Sequence, residues 1–190
     1  RLITCAAIAA ALSTVAIAQG APEKTGWSSS NYDQSANRYS LLAQITPANV
    51  KTLQRAWSIH LKPAGYSGRL REDEAIPIVI GNTMYVGSPY GAVIAFDATS
   101  GAEKWRYQLP NDDIPAKRGV AYWPGGGGRP ASIVFGSNAG RLYSIKASDG
   151  TLNSWFGDNG MVNLKTPEVM LTGMNVPYSL LSSPTIYKNL

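Results

Sequence analysis

Apolar residues along this chain come in short bursts separated by Gly, Pro, Asn, Asp and Ser, a pattern that suits many short strands better than a helical bundle. The stretch AFDATSGAEKWRY, residues 95–107, shows the unit: an apolar burst, turn chemistry from Asp97 to Gly101, then a second strand-like burst carrying Trp105. Strands are predicted at Ile76 to Ile80, Thr83 to Gly87, Ala92 to Asp97 and Glu103 to Gln108, with SPYG turning the second pair. Asp97 is expected to bond turn amides, and Gly101 to supply a positive φ. Upstream, Thr46 followed by Pro47 predicts a short helix ending near Leu53. Ala56 to Leu61 reads as a further strand, with Trp57 inside it, and Lys62 to Asp73 as a loop.

The pattern repeats. YVGSPYGAVIAFDATSG, ending at Gly101, aligns without a gap to VFGSNAGRLYSIKASDG, ending at Gly150, at an offset of 49 residues. Gly87, Ser88, Gly91 and Ala98 return as Gly136, Ser137, Gly140 and Ala147, while Val93 and Phe96 meet apolar Leu142 and Ile145. A third copy is expected to begin at Pro184, where PTIYKNL is similar to PIVIGNT. Self-similarity at about 50 residues is the size of one propeller blade, and closed propellers use roughly four to eight. A blade this small cannot bury both faces alone, so an indole such as Trp105 is expected to fill the wedge between neighbours. Two complete units in 190 residues predict the opening part of a longer protein; the start at Arg1 and the finish within a strand-like run carry the same expectation.

Composition agrees with an all-β chain: 19 Gly, 12 Pro, 9% aromatic and only 15% charged residues. The amino end, RLITCAAIAAALSTVAIAQG, has a basic start, an apolar stretch and the small-x-small pattern Ala16-Ile17-Ala18, which predicts a secretory signal over residues 1–18 rather than an anchor. Residues 19–61 are then expected to form an amino-terminal segment with a short helix and a ring-closing strand at Ala56 to Leu61, and residues 62–190 the first two propeller blades and the start of a third. Export places the protein in the periplasm or outside the cell, with no stable membrane span after cleavage. Cys5, the only cysteine, lies in that segment, so the mature chain is expected to lack disulfides and thiolate sites. The net charge of +5, one less without Arg1, is scattered and favours no nucleic-acid partner. His60 has no acid or nucleophile spaced for catalysis, and PGGGGRP, 124–130, lacks the GK[ST] of a phosphate loop.

The pattern Ala95-x-Asp97-x-x-x-Gly101-x-x-x-Trp105 resembles the tryptophan-docking motif of the pyrroloquinoline quinone (PQQ)-dependent dehydrogenases. The second unit keeps Gly150 but carries Lys146 and Ser154 where Asp and Trp would stand, with Trp155 one place along. ANRYSLLAQITPANVKTLQRAW, EAIPIVIGNTMYVGSPYGAVIAFDATSG and RGVAYW are similar to successive segments of that family, and WFGDNGMVNL to its glucose-dehydrogenase-type branch. The resemblance implies an eight-bladed β-propeller whose first blades lie here. It implies oxidation of a sugar, polyol or alcohol by hydride transfer to the quinone, with calcium as Lewis acid and electrons passed to a downstream acceptor.

It further implies that Glu74, Arg118, Ser182 and Ser183 contact the cofactor, and that the calcium ligands and catalytic aspartate belong to later blades. A guanidinium fork suits a planar cofactor bearing three carboxylates. Taken alone, Glu74 in REDE reads as a solvated charge, Arg118 as a surface arginine, and the two serines as a turn before Pro184. The span from Glu74 to Arg118 lacks the adjacent cysteines of the alcohol-oxidising branch, which favours a sugar or polyol substrate, and no CxxCH haem site occurs. A non-enzymatic exported propeller scaffold is the rival expectation, because a propeller does not fix function.

Overall fold

The computed structural model describes residues 26–32, 35–170 and 177–188; the expected signal at 1–18 lies outside them. Eight strands make two four-stranded antiparallel sheets. The first contains β1 (Ile78–Ile80), β2 (Thr83–Ser88), β3 (Ala92–Asp97) and β4 (Glu103–Gln108), and the second β5 (Ala121–Trp123), β6 (Ser132–Gly136), β7 (Arg141–Lys146) and β8 (Met161–Asn163). Each sheet is a meander in sequence order. Turn chemistry sets the register. Asp97 Oδ1 accepts the backbone N–H groups of Thr99 and Ser100, both at 3.0 Å, and Gly101 sits at φ +74°, so β3 returns into β4 as expected.

The largest apolar cluster lies between the sheets. Ile78, Tyr85, Val93 and Ala95 of the first meet Ile133, Phe135, Tyr143 and Ile145 of the second, with the Phe135 and Tyr143 rings stacked at 5.3 Å. The opposite face of the first sheet carries Val86, Ala92, Ile94 and Phe96, against which Ile59 and Leu61 pack. Strand β4 breaks its alternation once, and only Trp105 and Tyr107 of it join the cluster between the sheets. Ala95 pairs with Trp105 but Phe96 with Glu103, so Lys104 is an extra residue, a bulge. Without it Trp105 would share a face with Glu103; with it, the indole turns toward the second sheet.

There Trp105 docks on the next turn. Its Nε1 donates to the Ala147 carbonyl at 3.1 Å, an acceptor shared with the Tyr85 hydroxyl at 3.2 Å. Its ring covers Gly150, where an added Cβ would lie 2.6 Å from the indole. Trp57 repeats the arrangement one unit earlier, donating to Ala98 at 3.2 Å and covering Gly101. The glycine thus has two duties: its φ of +73° or +74° suits the turn, and its bare Cα admits the ring.

Several expectations are corrected. The helix from Thr46 is only a turn of 3-10 helix, Val50–Thr52, because the segment buries no residue that could support a longer one. Ala56 to Leu61 pairs with no strand among the described residues, although Trp57, Ile59 and Leu61 pack on the first sheet; the free edge of β1 instead meets Trp27 through Val79. Pro184 to Lys188 forms no strand. Trp155 is not a displaced docking residue: the chain leaves the sheet after Leu152, and Trp155 packs on Trp123 at 5.6 Å beneath the Arg129 guanidinium. Buried Asn153 anchors that excursion by donating to the Ser132 and Ser144 hydroxyls.

Replacing Trp105 by Ala is expected to cost the full-length protein about 3 kcal/mol in denaturant unfolding, whereas Trp155→Ala costs roughly 1 kcal/mol because that ring is the more exposed of the two. Equal losses would mean that the docked indole has no special place in the packing.

Candidate functional site

Three segments far apart in sequence converge where the two sheets approach each other. The stretch before β1 and the loop before β5 run side by side through a parallel bridge between Ile76 and Gly119. Gly119 makes this approach possible, since its φ is +104° and an added Cβ would stand 3.0 Å from the Ile76 carbonyl oxygen. The third segment is a strap over residues 177–183. Leu180 N–H donates to Ser137 O at 2.9 Å, the Ser179 hydroxyl to Asn138 O at 2.8 Å, and Arg118 N–H to Leu181 O at 3.1 Å.

The result is an open cavity of ≈ 370 Å³ lined by Glu74, Ile76, Arg118, Ser182 and Ser183 from these three segments and by Ser30 from a fourth. All four residues singled out in the sequence therefore line one cavity. A smaller recess of ≈ 140 Å³, with Glu72, Lys117 and Leu181 in its lining, adjoins it. Between them stands an ion cluster. Lys117 Nζ lies 2.7 Å from Glu74 Oε1 and 3.2 Å from Glu72 Oε2, while Arg118 Nε is 3.8 Å from Glu74 Oε2. The Lys117 ammonium, through its hydrogen bond and charge, holds the Glu74 carboxyl below its ordinary value, with a smaller contribution from Arg118. The same contacts with Glu74 and Glu72 raise Lys117.

The Arg118 guanidinium makes no hydrogen bond among the described residues, and its side chain is 66% exposed. A guanidinium fork, a carboxylate, two serine hydroxyls and the apolar Ile76 side chain can take one ligand carboxylate, accept a hydrogen bond from a ligand donor and cover an apolar face. The site offers no nucleophile paired with a base, and among the described residues no three His, Cys, Asp or Glu converge on a cation position. His60 is exposed, and the glycines of 124–130 lie in the β5–β6 connection, so neither joins the site. Sequence reasoning assigned no site role to Lys117, Gly119, Ile76 or Ser30, although Ile76 opens a predicted strand and Gly119 lies in RGVAYW. A glycine directly after Arg118 was the one available local signal.

Residues 27–190 match the family model described as PQQ: Glucose/ethanol/alcohol dehydrogenase, beta-propeller domain. The chain belongs to this family. Its two sheets are accordingly blades of a β-propeller of the quinoprotein dehydrogenases. The chain is 37% identical over 148 residues to the 1-butanol dehydrogenase (cytochrome c) of Thauera butanivorans, covering 73% of this chain and 19% of that protein. It is 32% identical over 172 residues to the quinoprotein glucose dehydrogenase of Gluconobacter oxydans, covering 80% of this chain and 20% of that one. The solved quinohemoprotein alcohol dehydrogenase from Comamonas testosteroni superposes with a TM-score of 0.65 at 28% identity, over 86% of this chain and 22% of that one. The chain thus spans about a fifth of the length of the relatives it matches.

The ion cluster has a definite pH dependence. Because the folded-state pKa of Glu74 is lowered, its pairing with Lys117 is complete above the ordinary carboxylate range and is lost as pH falls through the depressed value. Titration of the Glu74 carboxyl carbon by NMR is expected to show a midpoint below that of an ordinary glutamate, moving up in Lys117→Met. An unmoved midpoint would refute the pairing.

Proposed function

We propose that this chain forms the opening blades of an exported PQQ-dependent dehydrogenase that oxidises an alcohol, polyol or sugar. Its Glu74, Arg118, Ser182 and Ser183 form one wall of the cofactor site. The observation that carries this reading is the convergence of those four side chains on one cavity in a member of this family. Its volume falls in the range of roughly 300–1,000 Å³ usual for small-molecule sites.

When bound, PQQ would supply an ortho-quinone able to accept a hydride, one proton with two electrons, from the substrate carbon. The residues present do the holding. Arg118 takes a cofactor carboxylate in its fork, Ser182 and Ser183 donate hydroxyl hydrogen bonds, and Glu74 accepts from an N–H or O–H of the ligand. Ile76 offers apolar surface to a ring. Calcium, which the family resemblance implies, gains no assigned ligand from the described residues, and neither does the base that takes the substrate proton. The sugar or polyol preference rests on the missing cysteine pair, the downstream electron acceptor on the family, and export on the pattern of residues 1–18.

Full-length protein reconstituted with PQQ and calcium is expected to reduce a redox dye with some member of a panel of alcohols, polyols and sugars. Arg118→Gln should weaken PQQ uptake, followed by tryptophan fluorescence, by roughly ten- to a hundredfold, the scale of one charged hydrogen bond. No uptake by the parent protein and silence with every substrate would favour a binding scaffold.

A further inference from the structure

Glu74 and Arg118 line the same cavity, yet their ion pair is loose and carries no hydrogen bond. The guanidinium Nε stops 3.8 Å from Glu74 Oε2, beyond hydrogen-bond reach, although a carboxylate and a guanidinium this close ordinarily close into a fork. The reason lies behind them. Lys117 lines the adjoining recess, not the cavity, and its ammonium reaches Glu74 Oε1 at 2.7 Å from that side. The ammonium is itself held by a second acid, Glu72, at 3.2 Å, so it is drawn toward the acids and away from the ligand space.

We infer that Lys117 is a positioning residue: by occupying Glu74 it leaves the neighbouring Arg118 guanidinium open to capture a carboxylate of the ligand. This rests on the cofactor reading above for the identity of the ligand, and on the ion-cluster geometry for everything else. Two cations adjacent in sequence then divide the work. One neutralises the protein's own carboxylate, and the other faces the ligand. Removing the first leaves the Glu74 carboxylate and the Arg118 guanidinium, already 3.8 Å apart, free to close into a hydrogen-bonded fork, and the guanidinium is quenched by an internal partner. A compact ammonium with three donors suits the inner role, because it can serve two carboxylates at once; the planar guanidinium suits the outer one.

The test is a double-mutant cycle on the full-length protein with two readouts. In Lys117→Met the Arg118 Nε–H, followed by 15N NMR without cofactor, is expected to become protected from exchange as it bonds Glu74. PQQ affinity should fall about fivefold, with the melting temperature little changed. Lys117→Arg should restore both. In a Glu74→Gln background, Lys117→Met should have no further effect on affinity, since the group that Lys117 restrains is gone. An Arg118 signal unchanged in Lys117→Met overturns the inference, as does a further loss in the Glu74→Gln background, which would make Lys117 a direct ligand contact. If Arg118 becomes protected but Arg118→Gln leaves PQQ uptake intact, the positioning role stands and the cofactor reading fails.

Discussion

An indole lying on a glycine-bearing turn, with its N–H on the backbone carbonyl three residues before the glycine, is the contact on which this structure depends. Trp105 makes it across the two sheets and Trp57 makes it one unit earlier. The contact joins three requirements that could otherwise be met separately. It fills the wedge between sheets with a large apolar body, it satisfies the indole donor, and it demands a residue without Cβ where the turn already demands a positive φ. The bulge at Lys104 belongs to the same device, since it turns the ring toward the neighbouring sheet instead of the solvent.

Once the sheets are docked, the cavity follows from geometry at their approach. The parallel bridge between Ile76 and Gly119 ties the entry of one sheet to the entry of the next, and the strap at 177–183 crosses from Ser137 to Arg118. Each element that lines the cavity comes from a connection, not from a strand centre. This is the usual division between a rigid scaffold and loops that carry chemistry. The charged groups sit at the mouth, part exposed, where their attraction is modest; their value lies in orientation.

The sequence reading succeeded and failed for identifiable reasons. Strands β2, β3 and β4 and the turn from Asp97 to Gly101 were legible because their determinants are local: apolar bursts, an Asx side chain and a glycine. The segment from Ala56 to Leu61 has strand composition, but a strand also needs a hydrogen-bonding neighbour, and the described residues provide none. Trp155 shows the limit of offset alone. One extra position and the excursion held by Asn153 send it to Trp123 and Arg129 instead of a docking turn. Glu74, Arg118, Ser182 and Ser183 were reached through family resemblance, since each alone reads as surface or turn. Lys117 was missed because its two carboxylate partners lie in a different connection.

By itself, then, the sequence determined the repeat, the β class, the turn positions and the glycines that permit them, because these depend on neighbours along the chain. Tertiary structure decided which carboxylate meets which cation, which carbonyl receives each indole and which segments share a cavity. Those are contacts between residues far apart in the chain, made only when the sheets pack, and no local preference encodes the distance across them.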